Sequence, residues 1–354
     1  MEYSREHYIA TLIGCALGDM LGMPIEMWRP GQIQKYAGRV ASLIDPVLPK
    51  DSAGNIIKED EFGRLRTYNR NLKKGDYTDD TLLTLAIAQS IAEKQSLDLD
   101  DVAKHHLIFY DRTKDSQEKP LNVFGKTTRE AFRNLEQGVS PLQSGVIGGP
   151  GNAPAMKMSP VGLYMDATGR YDEGIAFAEQ VARMTHLDPR SIVSGIVQAH
   201  AIFLLLAIVD RKEFVQSLAE CCETYEKPLS AEFAAHDKGD LKSRMRWIAN
   251  NYDATPGEAF IHLDNSSLVM HSYPFAVFMF QKYWDNPIEG LIETVNFGGD
   301  CDTTGAIYGA LCGAKNGMIF PKEWLREAKG LEPLEKAAKR IWELKRETEE
   351  KTWR

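Results

Sequence analysis

Two short segments set carboxylates and hydroxyls directly ahead of strongly apolar helices. Gly75-Asp76-Tyr77-Thr78-Asp79-Asp80-Thr81 leads into Leu82–Ile91, and Gly298-Gly299-Asp300-Cys301-Asp302-Thr303-Thr304-Gly305 leads into Ala306–Ala314. Asp and Thr are favoured at helix N-termini, where they accept hydrogen bonds from free N–H groups and complement the helix dipole. Capping therefore accounts for either segment taken singly. It does not account for the pair. Each offers two carboxylates and a threonine hydroxyl where a buried helix begins, and neither contains Lys or Arg. Carboxylates drawn inside without counter-charge are costly, and divalent cations remove that cost. Asp79, Asp80, Asp300 and Asp302 carry a formal −4, which two ions of +2 neutralise. Oxygen-only donors select hard Mg²⁺, Mn²⁺ or Ca²⁺ over Zn²⁺, and two ions on bridging carboxylates sit roughly 3.5–4 Å apart. The chain has no HExxH or Cys/His zinc pattern.

Other segments can complete such a site. Gly18-Asp19-Met20-Leu21-Gly22-Met23-Pro24-Ile25-Glu26 closes the first helix with two glycines and sets Glu26 on a loop, where a solvated acid is the plain alternative. In Gly145-Val146-Ile147-Gly148-Gly149-Pro150-Gly151-Asn152-Ala153-Pro154 the glycines can turn N–H groups towards a diphosphate. That loop matches neither GxGxxG nor GxxxxGK[ST] and serves equally well as a connector. His186 follows Met184-Thr185 at a helix end, the ordinary place for a dipole partner. His105, His106 and His200 fall within helical patterns and are read as structural.

The elements that must position these groups are helices. Apolar residues recur at three- and four-residue spacing over Tyr8–Leu21, Asp79–Glu93, Leu99–Tyr110, Thr127–Gln137, Asp172–Thr185, Pro189–Val209 and Lys212–Tyr225. The same holds for Leu241–Ala249, Tyr273–Trp284, Ile288–Val295, Thr303–Lys315 and Leu334–Glu349. At most Arg39–Ile44 is extended. Leu82–Ala88 and Ala306–Ala314 are apolar on nearly every side, which places them inside a bundle, and small residues in the second allow close backbone approach. The length of 354 residues suggests about two domains at roughly 150 residues each. No linker, composition shift or repeat marks a boundary, however, so the reading is one compact all-α domain over 1–354 with a two-metal cleft. The charged Leu331–Arg354 segment, ending near Trp353, reads as a solvated helix.

The chain has 42 Lys and Arg against 50 Asp and Glu, a net charge of −8. That balance argues against a nucleic-acid track, which needs clustered cations, but not against a nucleotide-like anion held at a local site. Five cysteines without a CxxC pair read as reduced, buried thiols of a cytoplasmic protein. The N-terminus lacks a secretory h-region, and the longest apolar run, Ala201–Val209, is short of a membrane span. Oligomeric state is not readable.

These segments, in order, resemble the ADP-ribosylglycohydrolases of the dinitrogenase-reductase-activating type. The likeness rests on Gly14-Cys15-Ala16-Leu17-Gly18-Asp19 through Glu26, and on Tyr77-Thr78-Asp79-Asp80-Thr81. It continues through Gly151-Asn152-Ala153-Pro154-Ala155-Met156-Lys157 with Pro160-Val161-Gly162, Thr185-His186, and Asn296-Phe297-Gly298-Gly299-Asp300-Cys301-Asp302-Thr303. The resemblance implies an all-α fold with two Mg²⁺ or Mn²⁺ ions and hydrolysis of an ADP-ribosyl bond. Thr78, Asp79, Asp80, Asp300, Asp302 and Thr303 would be the metal ligands. Glu26 or a metal-bound Asp such as Asp300 would take a proton from water. The loop with Gly148, Gly149, Gly151, Asn152 and Met156 would hold diphosphate and ribose, with His186 in the same cleft. The substrate would be an ADP-ribosylated protein or small molecule.

Three positions depart from the family pattern. Ala153 replaces a glycine, Lys157 replaces an arginine, and Asn122-Val123-Phe124 ahead of Gly125-Lys126-Thr127-Thr128 lacks the carboxylate of relatives acting on arginine. The acceptor is therefore open among serine, another side chain, a nucleobase and a small metabolite. Two alternatives stand beside this reading: a two-metal hydrolase of a small N-riboside or phosphate ester, and a non-catalytic, crystallin-like binding protein.

Overall fold

A computed structural model describes residues 4–65, 71–114, 124–234 and 239–352. The polypeptide winds around one antiparallel helix pair, Arg5–Gly22 against Cys301–Asn316, which share the most extensive helix–helix contact in the molecule. Glycines at every fourth position permit it: Gly14, Gly18 and Gly22 face Gly309, Gly305 and Cys301 in turn. A Cβ on Gly18 would stand 1.9 Å from the Gly305 carbonyl oxygen, and one on Gly309 2.0 Å from that of Gly14. The two backbones touch. Because the helices are antiparallel, the C-terminal end of the first meets the N-terminal end of the other.

Asp79–Lys94, Ala153–Lys157, Ser159–Thr168, Pro189–Leu206, Val269–Lys282 and Leu331–Thr352 enclose this pair, and the buried apolar residues form one contiguous core. Residues 301–314 are all buried, as an all-round apolar pattern requires. Among the described residues the only strands are the two-residue pair Glu59–Asp60 and Gly63–Arg64, so Arg39–Ile44 forms none. All five cysteines are buried and free.

Every helix expected from periodicity is present, with its ends adjusted by local chemistry. The helix from Pro189 stops at Leu206 and not at Val209, because Asp210 caps the next helix by accepting from the N–H groups of Lys212 and Glu213. Val269–Lys282 begins four residues before the expected Tyr273 and carries Pro274 inside it, where the missing N–H removes one helical hydrogen bond. Pro30–Tyr36, Ala153–Lys157 and Pro256–Leu263 are short helices with proline in the first turn, too brief for periodicity to register; Ser159–Thr168, also proline-led, is ten residues long but buried nearly all round, without a one-sided apolar stripe. Asn122, Val123 and Trp353 lie outside the described residues.

Two helices, Arg5–Ile25 and Pro189–Leu206, are long and apolar enough to cross a membrane, a feature that counting uninterrupted apolar runs did not register. Most of the apolar stretch of each is buried within the protein and belongs to its core.

Replacing Gly18 with leucine drives a side chain into the Gly305 carbonyl. Gly18→Leu is expected to lower the unfolding free energy by about 3 kcal/mol or more, read from urea denaturation. Gly257→Ala is the control: a Cβ there meets nothing within 4 Å. It is expected to stabilise, by at most about 1 kcal/mol.

Candidate active site

The close helix pair carries the acids of both its ends to one place. Asp19, one turn from the end of the first helix, is fully buried. It accepts from the backbone N–H groups of Thr78 and Thr81 and from both their hydroxyls, at 2.6–3.1 Å. Asp19 thus caps the Asp79–Lys94 helix from a neighbouring element. Thr78, at the N-cap position, makes no capping bond with its own side chain, and neither does Asp300 at the start of the Cys301–Asn316 helix. With Asp19 in the capping role, Asp79 and Asp80 are available for other work.

Asp300 is aimed by a turn. Gly298 and Gly299 adopt φ of +69° and +67°, a left-handed conformation that side chains disfavour. Gly299 donates its N–H to the Trp28 carbonyl at 2.8 Å and accepts from the Met27 N–H at 2.5 Å, so the same turn also fixes the loop holding Glu26. Asn152 Nδ2 donates to Asp300 Oδ2 at 2.7 Å and to Ser272 Oγ at 3.0 Å. Oxygens of Asp19, Asp80 and Asp302 lie within 4.8 Å of one another, and so do oxygens of Glu26, Asp300 and Asp302. Asp302 belongs to both triads.

These groups form the floor of a cavity of about 590 Å³. Glu26, Asp79, Asp80, Gly149, Gly151, Asn152, Met156, His186, Asp300, Asp302 and Thr303 all line it. Two expected positions do not. Thr78 is fully buried beneath the floor, its hydroxyl between Asp19 Oδ1 and Asp80 Oδ2 at 3.0 Å each. Gly148 packs on Thr127, whose hydroxyl would be 2.8 Å from a Cβ there. The glycine loop is held by main-chain bonds from Val146 N–H to Thr185 O and from Val269 N–H to Pro150 O, at 3.2 and 2.8 Å.

Electrostatics mark the floor as a cation site. Burial, reinforced by its acidic neighbours Asp302, Asp19, Asp79 and Asp300, raises the Asp80 carboxyl well above its usual range. Asp300 is pushed up to about 8 by burial and by Asp302. Asp19 rises to about 6 through burial, against the four hydrogen bonds that favour its charge. Asp80 Oδ1 is buried with no hydrogen-bond partner. An oxygen without a proton donor, amid carboxylates that resist ionising together, fits a hard cation. Mg²⁺ or Mn²⁺ meets that donor set.

Residue reasoning did not single out Asp19 as part of the site, because within Gly18-Asp19-Met20 it reads as an ordinary helix-end acid. Phe124–Thr128, noted in the sequence only for its bearing on the acceptor, lines the cavity together with Arg129, Ser267 and Leu268, which reach it only through folding. Lys157 is fully buried beside the site, with Nζ donating to Thr185 Oγ1 at 3.3 Å. Burial lowers its pKa to about 7, against the pull of Asp79.

An all-α scaffold with two buried acid clusters beneath one cavity defines a metal-dependent hydrolase class, and the sequence matches accordingly. The family model for ADP-ribosylglycohydrolase covers residues 2–351, and the chain belongs to that family. It is an ADP-ribosyl hydrolase. The ADP-ribosyl-[dinitrogen reductase] glycohydrolase of Rhodospirillum rubrum is 27% identical over 91% of this chain and 90% of its own length. The mouse ADP-ribosylhydrolase ARH3 is 26% identical over 93% and 89%. A solved ADP-ribosylglycohydrolase-related protein complex superposes with a TM-score of 0.63 at 22% identity, over 96% of this chain and 98% of that one, and shares the fold.

Asp300 binds its proton more tightly in the folded protein than in the unfolded chain, so its ionisation withdraws stability as pH climbs from 3.8 towards about 8. Metal-free wild type is therefore expected to lose stability relative to Asp300→Asn across that window in denaturant titrations. Adding Mn²⁺ is expected to reverse the order at the alkaline end. Curves for the two proteins that stay parallel would contradict the assignment.

Proposed function

We propose that this chain is a binuclear Mg²⁺- or Mn²⁺-dependent enzyme that releases ADP-ribose from an ADP-ribosylated protein or small molecule in the cytoplasm, acting as one domain over 1–354. The observation carrying the reading is the convergence of carboxylates on the cavity floor, where Asp302 offers oxygens within 4.8 Å of those of Asp80, Asp300 and Glu26. Asp79, Asp80, Asp300, Asp302 and Thr303 would hold the ions, with Thr78 supporting Asp80 from below. Bound there, such ions would act as Lewis acids, supplying positive charge near the ribose hydroxyls and the anomeric carbon C1″.

The protein's own groups supply the rest. Glu26, or Asp300 across the shared triad, takes a proton from a water molecule directed at C1″. The water oxygen forms a bond to C1″, the bond from C1″ to the acceptor breaks, and the acceptor leaves with a proton. Asn152 fixes Asp300 through its 2.7 Å hydrogen bond, and the Gly149–Asn152 loop offers N–H groups to the diphosphate. Phe124, Lys126 and Arg129 in the cavity wall bring an aromatic face and cations to it, with no acid among them. Among the described residues, this part of the wall offers a guanidinium acceptor no carboxylate. This favours serine, another neutral side chain, a nucleobase or a small metabolite over arginine.

Asp302→Ala removes the ligand common to both triads. It is expected to reduce turnover by at least about 10²- to 10³-fold while helical content by circular dichroism is kept. Wild-type protein with Mg²⁺ or Mn²⁺ should be offered serine- and arginine-linked ADP-ribosyl peptides, ADP-ribosyl small molecules and plain ribosides. Free ADP-ribose from a non-arginine substrate is the expected product. Inorganic phosphate, free ribose, or binding without turnover would each replace this reading with one of its alternatives.

A further inference from the structure

Behind the cavity wall, three side chains form a short buried line. Lys157 Nζ lies 3.3 Å from Thr185 Oγ1, and Thr185 Oγ1 lies 3.0 Å from His186 Nδ1. Lys157 and Thr185 are fully buried and His186 is 3% exposed. The other polar neighbour of the Thr185 hydroxyl is the Ala182 carbonyl at 3.3 Å. On its far side the His186 ring meets Gly151, where a Cβ would stand 2.8 Å from Nε2. Glycine therefore leaves the Nε2 edge open to the cavity that both residues line.

The proton positions follow from the donor inventory. Below the pKa of about 7 to which burial lowers it, Lys157 carries its charge and can only donate, so at that contact the Thr185 oxygen is the acceptor. The hydroxyl then has one proton to give, and the His186 nitrogen is nearer than the Ala182 carbonyl. The opposite arrangement, an Nδ1–H pointing at the same oxygen, would set a second N–H donor against the ammonium and align the imidazole dipole unfavourably with it. We propose that Lys157, acting through the Thr185 hydroxyl, holds His186 as the neutral tautomer that presents Nε2–H to the cavity. His186 is then a hydrogen-bond donor to the oxygens of a bound ligand and takes no part as a base. Lys157 and Thr185 are positioning residues.

Burial, with Lys157 adding to it, lowers the His186 pKa to about 3, which keeps the ring neutral whichever nitrogen carries the proton. The family arginine that Lys157 replaces has a planar fork of five donors; a lysine reaching one hydroxyl makes a single-file line in its place. The tautomer stands independently of the ligand's identity, whereas the donor role rests on the proposal that ADP-ribose occupies the cavity.

Long-range ¹H–¹⁵N correlation spectra of histidine-labelled full-length protein test the line directly, with His186 assigned from a His186→Gln spectrum. The expected wild-type pattern is Nδ1 bare and Nε2 protonated. Thr185→Val, equal in shape but without the hydroxyl, is expected to move the proton towards Nδ1, and Thr185→Ser to restore the wild-type pattern. ADP-ribose affinity by calorimetry is expected to fall about five- to tenfold in Thr185→Val and to recover in Thr185→Ser, the loss of one hydrogen bond. An Nδ1-protonated ring in wild type, or a Thr185→Val spectrum identical to it, overturns the line. A switched tautomer with unchanged ADP-ribose affinity overturns the donor role. If the wild-type tautomer is as stated and ADP-ribose does not bind at all, the line is upheld and the ADP-ribose reading of the cavity fails.

Discussion

Direct contact between the backbones of Arg5–Gly22 and Cys301–Asn316 is the constraint on which the site depends. Most helices in soluble proteins are kept 8–10 Å apart by their side chains. Here glycine at every fourth position removes that spacer, and the antiparallel sense sets the end of one helix against the start of the other. Asp19 and Asp302, nearly three hundred residues apart in the chain, become neighbours as a result. Any side chain inserted into the seam would part the two acid groups as well as loosen the core. Stability and site geometry share one interface.

Around that seam the protein keeps its acids buried by dividing their tasks. Asp19 is satisfied by hydrogen bonds from Thr78 and Thr81 and so serves the fold. Asp80, by contrast, keeps a buried oxygen, Oδ1, without a proton donor. A core that leaves carboxylate oxygens without donors is poorly stabilised without a cation. That imbalance separates a ligand set from a capping set, although both are built from the same residue types. Lys157, fully buried behind the wall with its pKa lowered to about 7, acts on Asp79 and on His186 while it is charged.

The departures from the family pattern acquire physical meaning in this setting. Ala153 begins the short helix that carries Met156 to the cavity and Lys157 behind it. Phe124 is buried at the cavity wall, next to Gly125 and Lys126. An aromatic ring, the exposed Lys126 and the half-buried Arg129 stand at that part of the wall, above the acids of the floor.

Much of this was legible in the sequence because it depends on local rules. Helical periodicity, apolar patterns on all sides and acids ahead of buried helices are fixed by neighbours within a few turns, and they gave the all-α class and four of the floor acids. Three proline-led helices of one or two turns escaped because so short a stretch carries too little periodicity, Ser159–Thr168 escaped because it is buried nearly all round, and helix ends moved where a cap such as Asp210 intervened. Tertiary structure alone decided which acids would be satisfied. Asp19 reads in the sequence as a helix-end acid, and only the glycine seam turns it towards Thr78 and Thr81. Likewise Lys157, Thr185 and His186 fall into line only once a five-residue helix and a helix end are packed together. Residue type sets what a group can donate or accept; the packing of distant segments sets which partner it meets.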